Sequence, residues 1–308
     1  MLDRPQHPLR GVLLFLAAVF LFAALDATAK YLNAFFAVPL LVWARYLVHF
    51  VIMLVFMAPG MGREIIVTRR PWLMSFRALM LVGVTLLAQL ALKTLPLAET
   101  TALVFITPLL VALLAGPLLG EQVRRRTWLA TIAGFAGVLL IARPGGAMVG
   151  PGILYALGGA LCYAIYQILT RKLAATEHPN RLLFFTALVG TVSMSLTLPA
   201  YWDGQIPTLP QGLLIISLGL YGGIGHFMFI RAFREAPAST LSPLLYVQLI
   251  WATLLGWLVF NQLPDFLAII GMLIIGVSGL SLAIRTSHHG SDATGEKVST
   301  SASTSRNI

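Results

Sequence analysis

Charged residues are scarce in this chain: only 10% of its 308 positions are Asp, Glu, Lys or Arg, where a soluble domain has about a quarter. A water-soluble fold does not fit that composition. Cysteine is nearly absent as well. The single Cys162 excludes an internal disulfide, and no zinc or thiol redox pattern surrounds it. There is no HExxH zinc pair, GxSxG elbow or GxxxxGK phosphate loop, and the connections between apolar runs are too short to house a catalytic domain. We therefore expect no enzyme activity, no cofactor and no metal site, and the missing phosphate loop also argues against ATP-driven transport by this chain alone. Basic residues do outnumber acidic ones, 21 to 11. They lie in short clusters, however, with no basic domain able to track phosphates. Anionic lipid headgroups, and not nucleic acid, are the expected counter-charge.

What is plentiful is apolar sequence, 58% of the chain. A bilayer core needs roughly 20 apolar residues per helix, and ten such runs occur, near 11–31, 39–58, 74–93, 97–119, 127–142, 151–172, 182–201, 211–232, 238–260 and 266–284. The first resembles a signal peptide, with Arg4 and Arg10 before it and Ala27-Thr28-Ala29 within it. Recurrence of the pattern deep in the chain, and Asp26 inside the run, argue for a span instead. Alternate connections differ in charge. Arg4, Arg10, Arg63, Arg69, Arg70, Arg77, Arg124, Arg125, Arg126, Arg171, Lys172, Arg181, Arg231, Arg234, Arg285, Lys297 and Arg306 fall on one side, and only Lys30, Lys93 and Arg143 on the other. The positive-inside rule then puts both termini in the cytoplasm of a plasma-membrane protein. The end, 286–308, is rich in Ser and Thr without apolar periodicity and reads as a disordered tail.

An offset of 141 lays Gly11, Leu13, Leu16, Ala23 and Leu32 on Gly152, Leu154, Leu157, Ala164 and Leu173, and lays Ala91-Leu92-Lys93 with Pro96 on Ala232-Phe233-Arg234 with Pro237. Glu121 falls on Gln262, and Gly134-Phe135-Ala136-Gly137 resembles Gly276-Val277-Ser278-Gly279 one position further on. Two halves, 11–142 and 151–285, are expected. With five spans each, the second must enter the membrane from the opposite side, the inverted repeat of many secondary transporters.

Several motifs are diagnostic: Leu25-Asp26-Ala27-Thr28-Ala29-Lys30-Tyr31, Trp43-Ala44-Arg45-Tyr46, the Ala91-Leu92-Lys93 turn with Pro96, and Phe105-Ile106-Thr107-Pro108 leading to Leu119-Gly120-Glu121. Together they resemble the EamA family of the drug/metabolite transporter superfamily, over roughly 11–285. The resemblance implies ten helices in two EamA repeats, a central cavity lined by helices one to four and six to nine, and peripheral helices five and ten. Known members export amino acids, metallophores and other metabolites, and some take up riboflavin or S-adenosylmethionine. Export of a small organic metabolite is the first expectation here, and vitamin or cofactor uptake the alternative. A channel would not need the repeat.

Intramembrane charges cost about 2.5 to 3.5 kcal/mol on insertion scales, which singles out Asp26 and Arg45. Rises of 1.5 Å per residue bring the two to similar depth, so a buried pair is expected. Lys30 and Lys93 read as snorkelling anchors, and Glu121 as a local ion pair with Arg124–Arg126. Tyr163, Tyr166, Gln167 and Thr170 make a polar stripe on the sixth span. Gln89, His226, Tyr246, Gln248 and Trp251 are further candidates, for substrate contact or for helix packing. Pro108, Pro117 and Pro243 are expected to kink the fourth and ninth spans.

Overall fold

Proline opens the long helices, at a position whose missing N–H has no intrahelical partner to lose. Pro8, Pro71, Pro151 and Pro179 are the first residues of their helices, and Pro39 and Pro210 the second of theirs. In the computed structural model, residues 8–56, 58–107, 109–111, 113–114, 125–142, 150–174, 176–202, 204–235 and 242–278 are described. Pro108, Pro117, Glu121 and the 286–308 segment lie outside them.

The described residues are all-helical. The apolar helices are α1 Pro8–Leu32, α2 Val38–Phe56, α3 Pro71–Thr94, α4 Leu97–Val104, α5 Arg125–Ala142, α6 Pro151–Ala174, α7 Pro179–Tyr201, α8 Leu209–Glu235, α9 Val247–Phe260 and α10 Phe266–Ser278. Six of them, α1, α2, α3, α6, α7 and α8, are long and apolar enough to cross a membrane, and the other four are shorter apolar helices. A short helix, Ala58–Met61, and a 3-10 turn, Gly62–Ile65, join α2 to α3. The C-terminus of α9 is closed by Asn261 in the left-handed region (φ 53°), whose N–H donates to the Trp257 carbonyl over 2.9 Å. Asp265 caps the start of α10 by accepting from the Ala268 N–H, as a carboxylate at an N-cap does.

The fourth and ninth runs are each interrupted. After Val104, Phe105 and Ile106 form a turn in which Ile106 and Leu109 donate to carbonyls only three residues back. The ninth run is not one helix over 238–260. Ser242–Tyr246 is a 3-10 turn containing Pro243, and α-helix begins only at Val247. Proline lacks the N–H a longer helix would use, so the expected kink is a tightened entry to α9. Phe105 and Tyr246, which correspond under the 141 offset, meet edge-on at 5.8 Å between ring centroids.

Helix packing follows the offset too. α1 packs on α8 and α3 on α6, α2 on α8 and α3 on α7, α1 on α9 and α4 on α6, while α2 meets α7 and α4 meets α9. Exchanging the halves turns each contact in this series into another member of it. α5 and α10 approach backbone to backbone. A Cβ at Gly137 would sit 2.8 Å from the Gly271 carbonyl oxygen, and one at Gly271 would sit 2.6 Å from that of Gly137. Small residues allow such approach where lipid supplies no hydrophobic drive between helices. Outward-facing Phe56, Trp72, Leu196 and Ile206 are largely exposed. In water each would be left unfavourably exposed; against acyl chains they are at home.

Candidate functional site

Five helices converge on a small internal cavity. Arg45, Tyr46 and His49 of α2, Leu81 of α3, Tyr166 of α6, Leu183 and Thr186 of α7 and His226 of α8 line a volume of about 10 Å³, room for about one water molecule. The space exists because neighbouring positions are small. A Cβ at Gly222 would lie 3.4 Å from Arg45 Nε, and one at Gly190 would collide with the Tyr46 ring. Tyr46 is fixed from behind by a 3.0 Å hydrogen bond between its hydroxyl and that of Thr85.

Arg45 has no hydrogen-bond partner among the described residues. Its guanidinium carbon stands 6.0 Å from the Tyr46 ring centroid, and Arg45 acts electrostatically on Asp26 of α1. The expected Asp26–Arg45 ion pair is absent among the described residues. The physical reason is the room left at Gly222: Arg45 runs across α8, beside Leu25, and does not close onto Asp26.

A second arginine stands behind the cavity wall. By its sequence position Arg77 belongs with the basic connections, but α3 begins at Pro71, so Arg77 lies inside the helix and is only 2% exposed. Its Nε donates to Thr170 Oγ1 (2.7 Å), Nη1 to the Leu182 carbonyl (3.1 Å) and Thr186 Oγ1 (3.0 Å), and Nη2 to the Tyr166 hydroxyl (2.8 Å). The guanidinium also sits 4.5 Å from the Tyr166 ring centroid. Neutral oxygens thus satisfy a buried cation whose charge no acid within ion-pair distance offsets among the described residues. Under the 141 offset, Arg77 becomes Leu218, and Tyr166, Thr170 and Leu182 become Leu25, Ala29 and Leu41. Those four pack together in an apolar cluster with Leu32, Phe36 and Leu40. One end of the bundle therefore carries a polar tie and the corresponding end a greasy one.

The expected candidates divide. Arg45, Tyr166 and His226 line the cavity, and Tyr163 stacks on Tyr166 at 5.9 Å. His226 also contacts Phe22, 4.9 Å between ring centres. Gln167 is partly buried outside the lining. Gln89 is buried, both its side-chain amide atoms unpartnered, while its backbone carbonyl accepts from Asn33 Nδ2. The Tyr246 hydroxyl and Trp251 indole N–H are likewise buried without partners, Trp251 standing edge-on to Phe20 at 5.0 Å. Gln248 is buried in α9. None of these last four reaches the cavity lining.

Sequence reasoning missed Tyr46, His49, Thr186 and Arg77. Thr186 was findable, because the 141 offset lays Arg45 on it. Intramembrane charge is also not confined to Asp26 and Arg45: Glu99 is buried in the first turn of α4. Lys30 does more than snorkel. It donates to the Leu92 and Leu95 carbonyls at 2.8 and 2.6 Å, capping the end of α3, and its ammonium lies 5.6 Å from the Phe260 ring centroid. Lys93 is exposed, as a snorkelling anchor would be.

Several known proteins resemble this chain. An S-adenosylmethionine uptake transporter of Rickettsia bellii is 27% identical over 265 residues, covering 86% of this chain and 90% of its own. A riboflavin transporter of Vibrio cholerae is 28% identical over 278 residues, 89% of this chain and 92% of its own. A pseudopaline exporter of Pseudomonas aeruginosa is 27% identical over 199 residues, 63% of this chain and 68% of its own. One crystal structure aligns over 90% of this chain and 98% of its own with a TM-score of 0.62 and 22% identity, a likeness of fold alone. The profile of the EamA-like transporter family matches twice, over residues 9–143 and 150–284, and the chain belongs to that family: it is a multi-pass membrane protein and a secondary transporter of a small organic solute, not an enzyme.

Proposed function

We propose that the protein is an inner-membrane uptake carrier for a compact metabolite bearing a carboxylate, of the S-adenosylmethionine type, working by alternating access of two inverted halves with both termini in the cytoplasm. One observation carries the reading: the Arg45 guanidinium, without a hydrogen-bond partner among the described residues, faces a cavity walled by Tyr46, His49, Tyr166 and His226. An arginine fork suits a carboxylate, and Asp26 within electrostatic reach suits a cationic group on the same solute. Aromatic walls with few polar groups fit a partly planar remainder. The exchange-symmetric packing of helices and the Phe105–Tyr246 contact support two related halves, arranged as inverted-repeat transporters are. A cavity of about 10 Å³ holds no metabolite, so it is read as a closed state that the halves must open.

Uptake replaces the first expectation of export, because a relative named for uptake is covered nearly end to end while the exporter is matched over 63% of this chain. Proteoliposomes offered labelled S-adenosylmethionine, with riboflavin as the solute lacking a carboxylate, test this. Saturable inward S-adenosylmethionine flux with counterflow is expected, and it should fall at least tenfold in Arg45→Gln at unchanged protein abundance. Flux of riboflavin alone would overturn the carboxylate reading, and flux only from a preloaded interior, or none for either solute, the uptake reading. A non-saturating flux would make the protein a channel.

A further inference from the structure

A second cavity, larger than the one walled by Arg45 and Tyr166, lies between two connections of the chain. It measures about 470 Å³ and is lined by Val67, Arg69 and Arg70 of the α2–α3 connection and by Thr176, Glu177 and Arg181 around the α6–α7 connection. We propose that it is a binding site for the phosphodiester headgroup of an anionic phospholipid, on the face that the charge split assigns to the cytoplasm.

The site is built from both halves of the chain. Glu177, only 6% exposed, accepts from Thr68 Oγ1 at 2.6 Å and from Arg181 Nη1 at 2.6 Å, and Arg181 Nε reaches the Glu64 carbonyl at 2.8 Å. The Arg70 N–H donates to Thr68 Oγ1 at 3.1 Å. This frame holds the 64–70 segment against the start of α7 and uses up the one carboxylate in the lining. Arg69 and Arg70 are exposed, with no side-chain hydrogen bond or ion pair among the described residues, so the lining carries three guanidinium groups against one carboxylate. Arg181 is held by Glu177 and the Glu64 carbonyl, and the two uncommitted guanidinium forks lining the same cavity suit phosphate oxygens.

The surroundings select a lipid over a soluble anion. Ile66 and Val67 are 57% and 65% exposed beside the arginines, and Trp72, 86% exposed, follows directly on Pro71. Tryptophan in the first turn of a spanning helix marks the headgroup level. Apolar side chains at that depth meet acyl chains, and arginines just outside them meet phosphate, which is the arrangement of basic pockets that bind anionic headgroups. The inference does not depend on which solute the carrier moves.

Purified full-length protein, with dioleoyl-phosphatidylglycerol or dioleoyl-phosphatidylcholine added in detergent and retained lipid read by native mass spectrometry, tests it. Phosphatidylglycerol should be retained in preference to phosphatidylcholine. Replacing both arginines, Arg69→Gln with Arg70→Gln, should weaken that retention about thirtyfold, from roughly fivefold per basic residue. The control Arg10→Gln with Arg125→Gln removes the same charge elsewhere and should change it less than about threefold. Should the site double variant lose its folded signal, Arg70→Gln alone carries the test at about fivefold. Equal retention of the two lipids, or equal loss in both double variants, would overturn the proposal. So would millimolar inorganic phosphate binding with the same arginine dependence in the absence of lipid preference, which would assign the site to a soluble anion.

Discussion

Replacing Arg77 by Met separates the contribution of a buried cation from that of its packing. The substitution removes four hydrogen bonds, to Thr170, the Leu182 carbonyl, Thr186 and Tyr166. Two of the acceptors keep a partner, because Thr170 Oγ1 donates to the Tyr166 carbonyl at 2.7 Å and Thr186 Oγ1 to the Leu182 carbonyl at 2.8 Å. The Leu182 carbonyl retains that Thr186 bond. Only the Tyr166 hydroxyl is orphaned. Loss of an opposing buried charge does not enter, since no acid is paired with Arg77 among the described residues. The expected cost is therefore that of one unsatisfied buried hydroxyl, about 1 to 3 kcal/mol, well below a summed value for four charged hydrogen bonds. Tyr166→Phe removes the orphan, so the double variant Arg77→Met with Tyr166→Phe should be more stable than Arg77→Met alone, with a coupling of about 0.5 to 3 kcal/mol. Thermal denaturation in detergent, followed by loss of the monodisperse elution peak, measures all four proteins. Because Tyr166 and Thr186 line the cavity, the apparent KM should rise in Arg77→Met beyond any loss of abundance. Additive destabilisation, or an Arg77→Met variant as stable as the parent, would refute the reasoning.

Gly137→Leu should drive α5 from α10 and destabilise the protein by about 1 to 3 kcal/mol, read in the same denaturation assay, while Gly212→Leu, where a side chain meets open space, should not. Burial opposes the charge of Glu177, but the Thr68 and Arg181 hydrogen bonds and the Arg181 charge hold its carboxyl below the ordinary 4.5. Its stabilisation is thus fully present above about pH 4.5 and is lost as pH falls through the lowered value, so the stability difference between the parent and Glu177→Gln should shrink on acidification below pH 4.5; a constant difference would sink the linkage. A C-terminal reporter active only in the periplasm should stay silent and one active only in the cytoplasm should work, the reverse invalidating both the charge-based orientation and the inversion.

Periodicity and punctuation made the helices legible, because a spanning segment must satisfy its backbone within itself and so declares itself as a long apolar run. Ends were less legible. Arg77 was placed outside the membrane because charge is the only local marker of a boundary, whereas two neighbouring helices supply the oxygens that let it go inside. The same blindness hid Glu99, the third residue of the run at 97–119, where a charge at the very start of a span passes for one at the interface. Arg45 was visible as an intramembrane charge, but that it stays unpaired among the described residues was not. Depth along two helices predicts which residues can meet; the void at Gly222, on a third helix, decides where the side chain goes. Gln89, Tyr246 and Trp251 show the converse, polar groups at membrane depth whose direction around the helix no one-dimensional spacing fixes.

The Arg77 tie and its apolar counterpart around Leu218 have unlike thermal behaviour. If the halves rock as proposed, opening the Leu218 end wets Leu25, Leu41 and Phe36, raising the heat capacity, whereas opening the Arg77 end exposes groups already bonded to hydroxyls and a carbonyl. Hydration of polar surface changes heat capacity in the opposite sense. The balance between the two access states is then temperature dependent. Cooling weakens the apolar seal more than the polar one, so the carrier should rest increasingly open toward the Leu218 side as it is cooled.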